Sequence, residues 1–230
     1  HRLGVAPETV LHCYQRLSAT DNAVDAVVTY THFASADDVH SLQTPRQLAV
    51  FDALPCGAPR SAANSAALLA WPQAHYDWVR PGYMLYGNSP LLQDHPQAQS
   101  LKPVMTLMST VISLRDVATG EAVGYGGTWV AQRPSRIATV TIGYGDGYPR
   151  HAANGTPVLV NGQRAPLAGR VTMDMITVDV TDLGEVQLGA EVVLWGAGLP
   201  LAEVARCADT IGYELTTRMP ARTPRVVVNA

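Results

Sequence analysis

Apolar and polar positions change rhythm near residue 100. Before it, helical periodicity alternates with short β-branched runs. Pro7 and Glu8 open an apolar-periodic stretch to Leu17, which predicts a helix with proline in its first turn. The run Val27-Val28-Thr29-Tyr30-Thr31 predicts a buried parallel strand leading into His32-Phe33-Ala34-Ser35-Ala36-Asp37. A second helix is predicted over residues 36–54, and Asn64-Ser65-Ala66 has the form of a helix cap. Val79-Arg80 reads as a strand end before Pro81-Gly82. This is βα repetition, the pattern of a parallel α/β unit.

Beyond the polar stretch 94–100 the pattern is mostly strand. Strands are predicted over 104–113, 137–142, 158–160, 171–180, 192–195 and 225–228, with one helix over 201–211. Asn161-Gly162, between two short apolar runs, is a type I′ hairpin signal. Residues 101–230 are therefore expected to form a mainly β C-terminal domain.

Composition narrows the function classes. The formal charge is -3 and no Lys/Arg run occurs, so nucleic acid is an unpromising partner. Cys13, Cys56 and Cys207 are odd in number and outside any metal or CxxC spacing, which favours reduced thiols and a cytoplasmic setting over a disulfide scaffold. No apolar run reaches the roughly 20 residues of a membrane span, and no signal peptide opens the chain. Fifteen of the sixteen basic residues are arginine, so Lys102 is the one lysine amine.

The candidate chemistry centres on two triplets, Gly124-Tyr125-Gly126 and Gly143-Tyr144-Gly145. A phenol between two glycines has room on both sides, which suits a side chain standing against a ligand, although the pairing also occurs in ordinary tight turns. In the first half, His32 follows its strand directly, where an α/β barrel places reactive groups. Ser65 offers a hydroxyl at a helix start, and Gly82 lets backbone approach an anion just after Arg80.

Taken in order, Arg2-Leu3-Gly4, Tyr30 to Asp37, Ala63-Asn64-Ser65, Arg80-Pro81-Gly82 through Tyr86-Gly87, both tyrosine triplets, Gly169-Arg170-Val171-Thr172-Met173-Asp174 and Ile211-Gly212-Tyr213-Glu214 resemble the alanine racemase family across essentially the whole chain. The resemblance implies a homodimer of an α/β barrel carrying pyridoxal 5'-phosphate and a β domain, each active site being completed by the partner's β domain. Residues 1–100 would be the later portion of that TIM-like barrel, incomplete here, and residues 101–230 the β domain. The implied substrate is alanine, interconverted between its L and D forms by two bases acting on a pyridoxal phosphate aldimine. It further implies that Tyr125 is the catalytic acid/base, since the family's tyrosine lies nearly fifty residues before its methionine, as Tyr125 does before Met173.

Other roles follow by the same resemblance. Arg80 matches the arginine facing the pyridine nitrogen, and His32 the histidine holding that arginine. Ser65, Gly82, Tyr83 and Tyr213 match phosphate ligands. Arg2 and Met173 match substrate-binding residues, with Met173 supplied by the partner subunit, while Tyr144, Asp37, Arg150 and Ile211 match the entryway. A tyrosine has an ordinary pKa of about 10, so a basic role near neutrality requires positive charge around it, for which Arg2, Arg80 and His32 are the expected suppliers.

One departure stands out. The family's Schiff-base lysine lies well before the Arg-Leu-Gly block, and Lys102 occupies a different family block, so the chain as given is expected to be inactive alone. Two other readings share most of these features: a racemase of the same fold acting on serine or lysine, and a non-catalytic fragment kept for β-domain dimerisation.

Overall fold

The structure, a computed structural model, describes residues 3–23 and 26–228. The chain divides into two compact units, His1–Lys102 and Pro103–Ala230.

In the first unit a 3-10 turn, Pro7–Thr9, feeds α1 (Val10–Ser18). Proline suits this start because its missing N–H would have no helical partner. Strand β1 (Thr29–Tyr30) pairs in parallel with β2 (Arg60–Ser61), Thr29 opposite Arg60 and Tyr30 opposite Ser61. The buried strand expected over 27–31 is thus only two residues long, and Tyr30 is 68% exposed. Among the described residues β1 pairs with β2 alone, which covers one of its edges. Helix α2 (Gln43–Asp52) begins later than residue 36. Asp38 captures the backbone first: its carboxylate accepts from His40 N (2.9 Å) and its carbonyl from Ser41 N (3.2 Å), a local turn that competes with helix.

Helix α3 (Ser65–Ala70) has the expected cap, Asn64 Oδ1 accepting from Ala67 N at 2.9 Å. Its alanines 66 and 67 pack with Phe33, Leu48, Phe51 and Trp71 in the unit's core, where small side chains let elements approach closely. Trp71 Nε1 is satisfied by Ala36 O at 3.0 Å. The strand end expected at 79–80 is no strand; one parallel bridge, Ser61 to Trp78, stands in its place. The 94–100 stretch contains a 3-10 turn, Pro96–Ala98.

The second unit is built on β3 (Leu107–Val117), β4 (Ala122–Val123), β5 (Trp129–Val130), β6 (Ser135–Val140), β7 (Pro157–Val160), β8 (Gln163–Pro166), β9 (Ile176–Asp179) and β10 (Glu191–Trp195). Six of these form one antiparallel sheet in the order β8-β7-β10-β3-β6-β9. Its two ends meet through a bridge between Leu167 and Val178, so the sheet is a nearly closed barrel. Register breaks at Val111/Ser113 in β3 and Val193/Trp195 in β10 supply the bending that closure requires. Val111, Val140, Val158, Val160, Ile176 and Leu194 line the core, each fully buried side chain stabilising by about 1.5–3 kcal/mol.

Asn161 and Gly162 both have positive φ, as the hairpin between β7 and β8 requires. Three expectations are corrected. The strand expected from 171 begins at Ile176, because Thr172 closes a turn on Met175, its Oγ1 accepting from Met175 N at 3.1 Å. The helix expected over 201–211 is α4 (Leu201–Cys207), which ends where Asp209 takes positive φ, and α5 (Gly212–Thr217) follows. Residues 225–228 are not a strand, and Val227 is 91% exposed, so the β-branched run has no sheet partner among the described residues.

Candidate active site

The first unit gathers its polar groups at the carboxyl ends of β1 and β2, where α/β proteins place ligands. Arg80 is the centre of this arrangement. Its Nη1 donates to Ser61 Oγ at 2.6 Å, and its Nη2 donates to the carbonyls of Thr31 (2.7 Å) and Ala62 (3.3 Å). Ser61 is oriented by donating its own proton to Trp78 O at 2.9 Å, which leaves a lone pair for the guanidinium. The Arg80 backbone is pinned as well, N to Ala63 O at 2.8 Å, and the guanidinium lies 5.4 Å from the Tyr30 ring centroid. Burial lowers its pKa and the Tyr30 phenol opposes that shift, but a guanidinium still keeps its proton near neutral pH. The site therefore offers a fixed cation that donates hydrogen bonds without transferring protons.

Ser65 lies at the first residue of α3 and is buried. Its Oγ accepts from Gly82 N at 2.9 Å and from Met84 N at 3.3 Å, so the hydroxyl organises the amides of the loop that follows Arg80. Open space surrounds the position a Cβ would take on Gly82. Tyr83, within the 3-10 turn Tyr83–Tyr86, is buried beside it in sequence. With both lone pairs taken by the Gly82 and Met84 amides, the Ser65 hydroxyl keeps its proton to donate, and that donor together with the permanent cation of Arg80 fits an anionic group such as a phosphate. His32 is exposed and follows Thr31, and its carbonyl accepts from Gln47 Nε2 at 2.7 Å. Asp37 sits in a turn, its carbonyl accepting from Leu92 N at 3.0 Å. Lys102 is exposed at the last position of this unit, away from these groups in sequence. Arg2 lies outside the described residues.

The second unit carries the tyrosine loops. Tyr125 opens a short 3-10 turn, Tyr125–Gly127, between β4 and β5, and is 73% exposed. Gly124 (φ 78°) and Gly126 (φ 72°) hold the left-handed backbone on both sides of it, a conformation that side chains resist. Tyr144 opens a second turn, Tyr144–Asp146, after β6. This loop lies backbone to backbone against the turn bearing Met173: Tyr144 N donates to Thr172 O (3.0 Å) and Gly145 N to Met173 O (2.9 Å). A Cβ on Gly143 would overlap the carbonyl oxygens of Thr172 and Met173, so only glycine permits the approach.

Met173 and Ile211 are exposed apolar side chains, Ile211 at the N-cap of α5 and Tyr213 in its first turn. Arg150 is exposed in the turn following Tyr148-Pro149. Of the residues expected around a phosphate, Ser65, Gly82 and Tyr83 thus belong to the first unit and Tyr213 to the second. The structure brings together Arg80 with Ser61, Ser65 with Gly82, and Tyr144 with Met173. Ser61 and the carbonyls of Thr31 and Ala62 escaped the sequence reading because nothing local marks a serine in β2 as the partner of an arginine nineteen positions later.

The fold and this grouping define a bipartite α/β-plus-β protein with a fixed arginine and a buried, loop-holding serine on one unit and glycine-flanked tyrosines on the other. Profiles of the alanine racemase N-terminal and C-terminal domains match residues 1–90 and 104–227. The chain belongs to the alanine racemase family. It is 55% identical to an alanine racemase of Chromohalobacter salexigens, covering 100% of this chain and 64% of that protein. It is 52% identical to one of Pseudoalteromonas atlantica, covering 100% and 63%. Among solved structures it is similar to the biosynthetic alanine racemase from Pseudomonas aeruginosa (TM-score 0.94, 50% identity, 100% of this chain and 64% of that one). It is also similar to the alanine racemase from Bartonella henselae with covalently bound pyridoxal phosphate (TM-score 0.86, 33% identity, 99% and 63%). The chain thus spans about 64% of the length of the first of these relatives.

Proposed function

We propose that the chain is the larger part of an alanine racemase that uses pyridoxal 5'-phosphate and works as a cytoplasmic homodimer, its first unit being the later portion of a TIM-like barrel. The observation that carries this reading is Arg80, fixed at the strand ends by Ser61 Oγ, Thr31 O and Ala62 O. When bound, the cofactor supplies an electron sink that makes the α-proton of an amino acid acidic. Arg80 would face its ring nitrogen, with His32 beside Thr31 as a further support, and would donate a hydrogen bond there while keeping its own proton. That choice limits the sink and favours prompt return of the α-proton over side reactions. Ser65, Gly82 and Tyr83, with Tyr213, would hold the phosphate. Lys102 is the one lysine of the chain, and it does not match the family lysine that attaches the cofactor.

Tyr125 takes or returns the proton at one face of the substrate α-carbon, and a second base serves the other face. Its exposure on the β unit suits a side chain that completes the partner subunit's site. Met173 and Arg2 would bind the amino acid, and Tyr144, Asp37, Arg150 and Ile211 would line its entryway.

The test is enantiomer analysis of alanine incubated with cofactor and a protein carrying residues 1–230 together with the N-terminal region its relatives have. Interconversion from both enantiomers, faster than for serine or lysine, is expected; no interconversion, or faster turnover of another amino acid, contradicts the reading. Sharing of sites between protomers is tested by mixing Tyr125→Phe and Arg80→Met proteins. Recovered activity supports it, and its absence after verified subunit exchange opposes it.

A further inference from the structure

We propose that Arg222 is a positioning residue, a clamp that locks the Tyr144 loop to the turn carrying Met173 so that both meet the substrate as one surface. The functional part of this inference rests on the racemase reading above. The clamp itself rests on geometry within the second unit.

Arg222 Nε donates to Asp146 Oδ1 at 2.9 Å, and Nη2 reaches Asp146 Oδ1 (2.8 Å) and Asp174 Oδ1 (2.7 Å). One guanidinium therefore ties a carboxylate of the tyrosine loop to the residue following Met173. Asp146 carries the tie inward, since its Oδ2 accepts from Gly143 N at 2.9 Å, at the start of the loop. The neighbouring Thr223 adds a second attachment, Oγ1 to Asp146 O at 2.8 Å. Gly145 leaves room for the arginine: a Cβ there would lie 2.7 Å from Nη2 and 2.9 Å from Cζ.

The planar fork explains the choice of residue. A lysine ammonium is a single point and cannot span two carboxylates with the same fixed geometry. Arg222 and Asp174 are also well exposed, so the ion pairs add little to global stability. Their specific effect is local: they hold the loops in the register that the Tyr144 N–Thr172 O and Gly145 N–Met173 O bonds define.

The experiment compares wild type with Arg222→Ala and Arg222→Lys by hydrogen exchange on the 230-residue chain and by alanine kinetics on the full-length enzyme. Arg222→Ala is expected to speed exchange at the Tyr144 and Gly145 amides about tenfold, leaving β3 and β6 unchanged. It should raise KM for alanine about fivefold with a smaller change in kcat, and Arg222→Lys should lie between. Unchanged exchange at those amides, uniform loosening of the whole barrel, or an unchanged KM despite local loosening would overturn the proposal. If Arg222→Ala does not fold, Asp174→Asn removes one arm alone and should shift the same amides in the same direction; no shift there overturns it equally. Should the wild-type enzyme fail to racemise alanine, the functional reading falls while the exchange data still decide the clamp.

Discussion

Ser65 illustrates how much one hydroxyl can organise. It is buried, and it accepts from two amides of the loop after Arg80. Replacing it with alanine leaves those amides without their acceptor and loosens the loop they belong to. Cofactor affinity should fall about tenfold, equivalent to ~1.4 kcal/mol, in a fluorescence titration with pyridoxal phosphate; unchanged affinity would remove Ser65 from the phosphate seat. The place of Ser65 at a helix start was legible because the Asn64 cap carries a local signature. The holders of Arg80 were not, since Thr31 O and Ala62 O are main-chain atoms that no residue type announces.

At the scale of elements, the loops are set by close approach. Gly143 lies against the Thr172 and Met173 carbonyls, and the turn closed by Thr172 and Met175 delays β9 to Ile176. Gly143→Ala forces these backbones apart and should destabilise the second unit by about 1–3 kcal/mol, read as a lower urea midpoint. A midpoint unchanged by the substitution would mean that the two loops separate freely. The same elements show why strand patterns were read well and their limits poorly. Alternation and β-branching mark Val140, Val158 and Ile176 as sheet residues, whereas Thr172 and Asp38 stop regular structure through side-chain bonds that periodicity does not encode. The exposed Val226-Val227-Val228 run shows the converse, strand propensity with no neighbour among the described residues to pair with.

For the whole molecule, each unit holds a tyrosine whose protonated form the fold protects. Burial pushes Tyr76 up to about 12, helped by its hydrogen bond to Asp52, and burial raises Tyr148 as well. An acid raised above its unfolded value near 10 contributes stability that is intact below that pH. As pH rises beyond it the unfolded chain loses these protons first, so stability declines up to the folded-state values. Thermal melts should therefore be flat around neutrality and fall above about pH 10. Tyr148→Phe should weaken that alkaline decline in the second unit at modest cost, because its hydroxyl has no hydrogen-bond partner among the described residues. A decline as steep as wild type would contradict this. The fold itself contains no helix among the described residues that is long and apolar enough to cross a membrane.

The account turns on Tyr125, held outward by two left-handed glycines on the β unit. The decisive measurement is α-proton exchange with deuterated water for L- and D-alanine separately, using the Tyr125→Phe full-length enzyme with cofactor bound. Loss of exchange from one enantiomer, with exchange from the other retained and cofactor still bound, is the predicted result. Equal loss from both enantiomers, or no loss from either, would contradict a one-faced acid/base role for Tyr125.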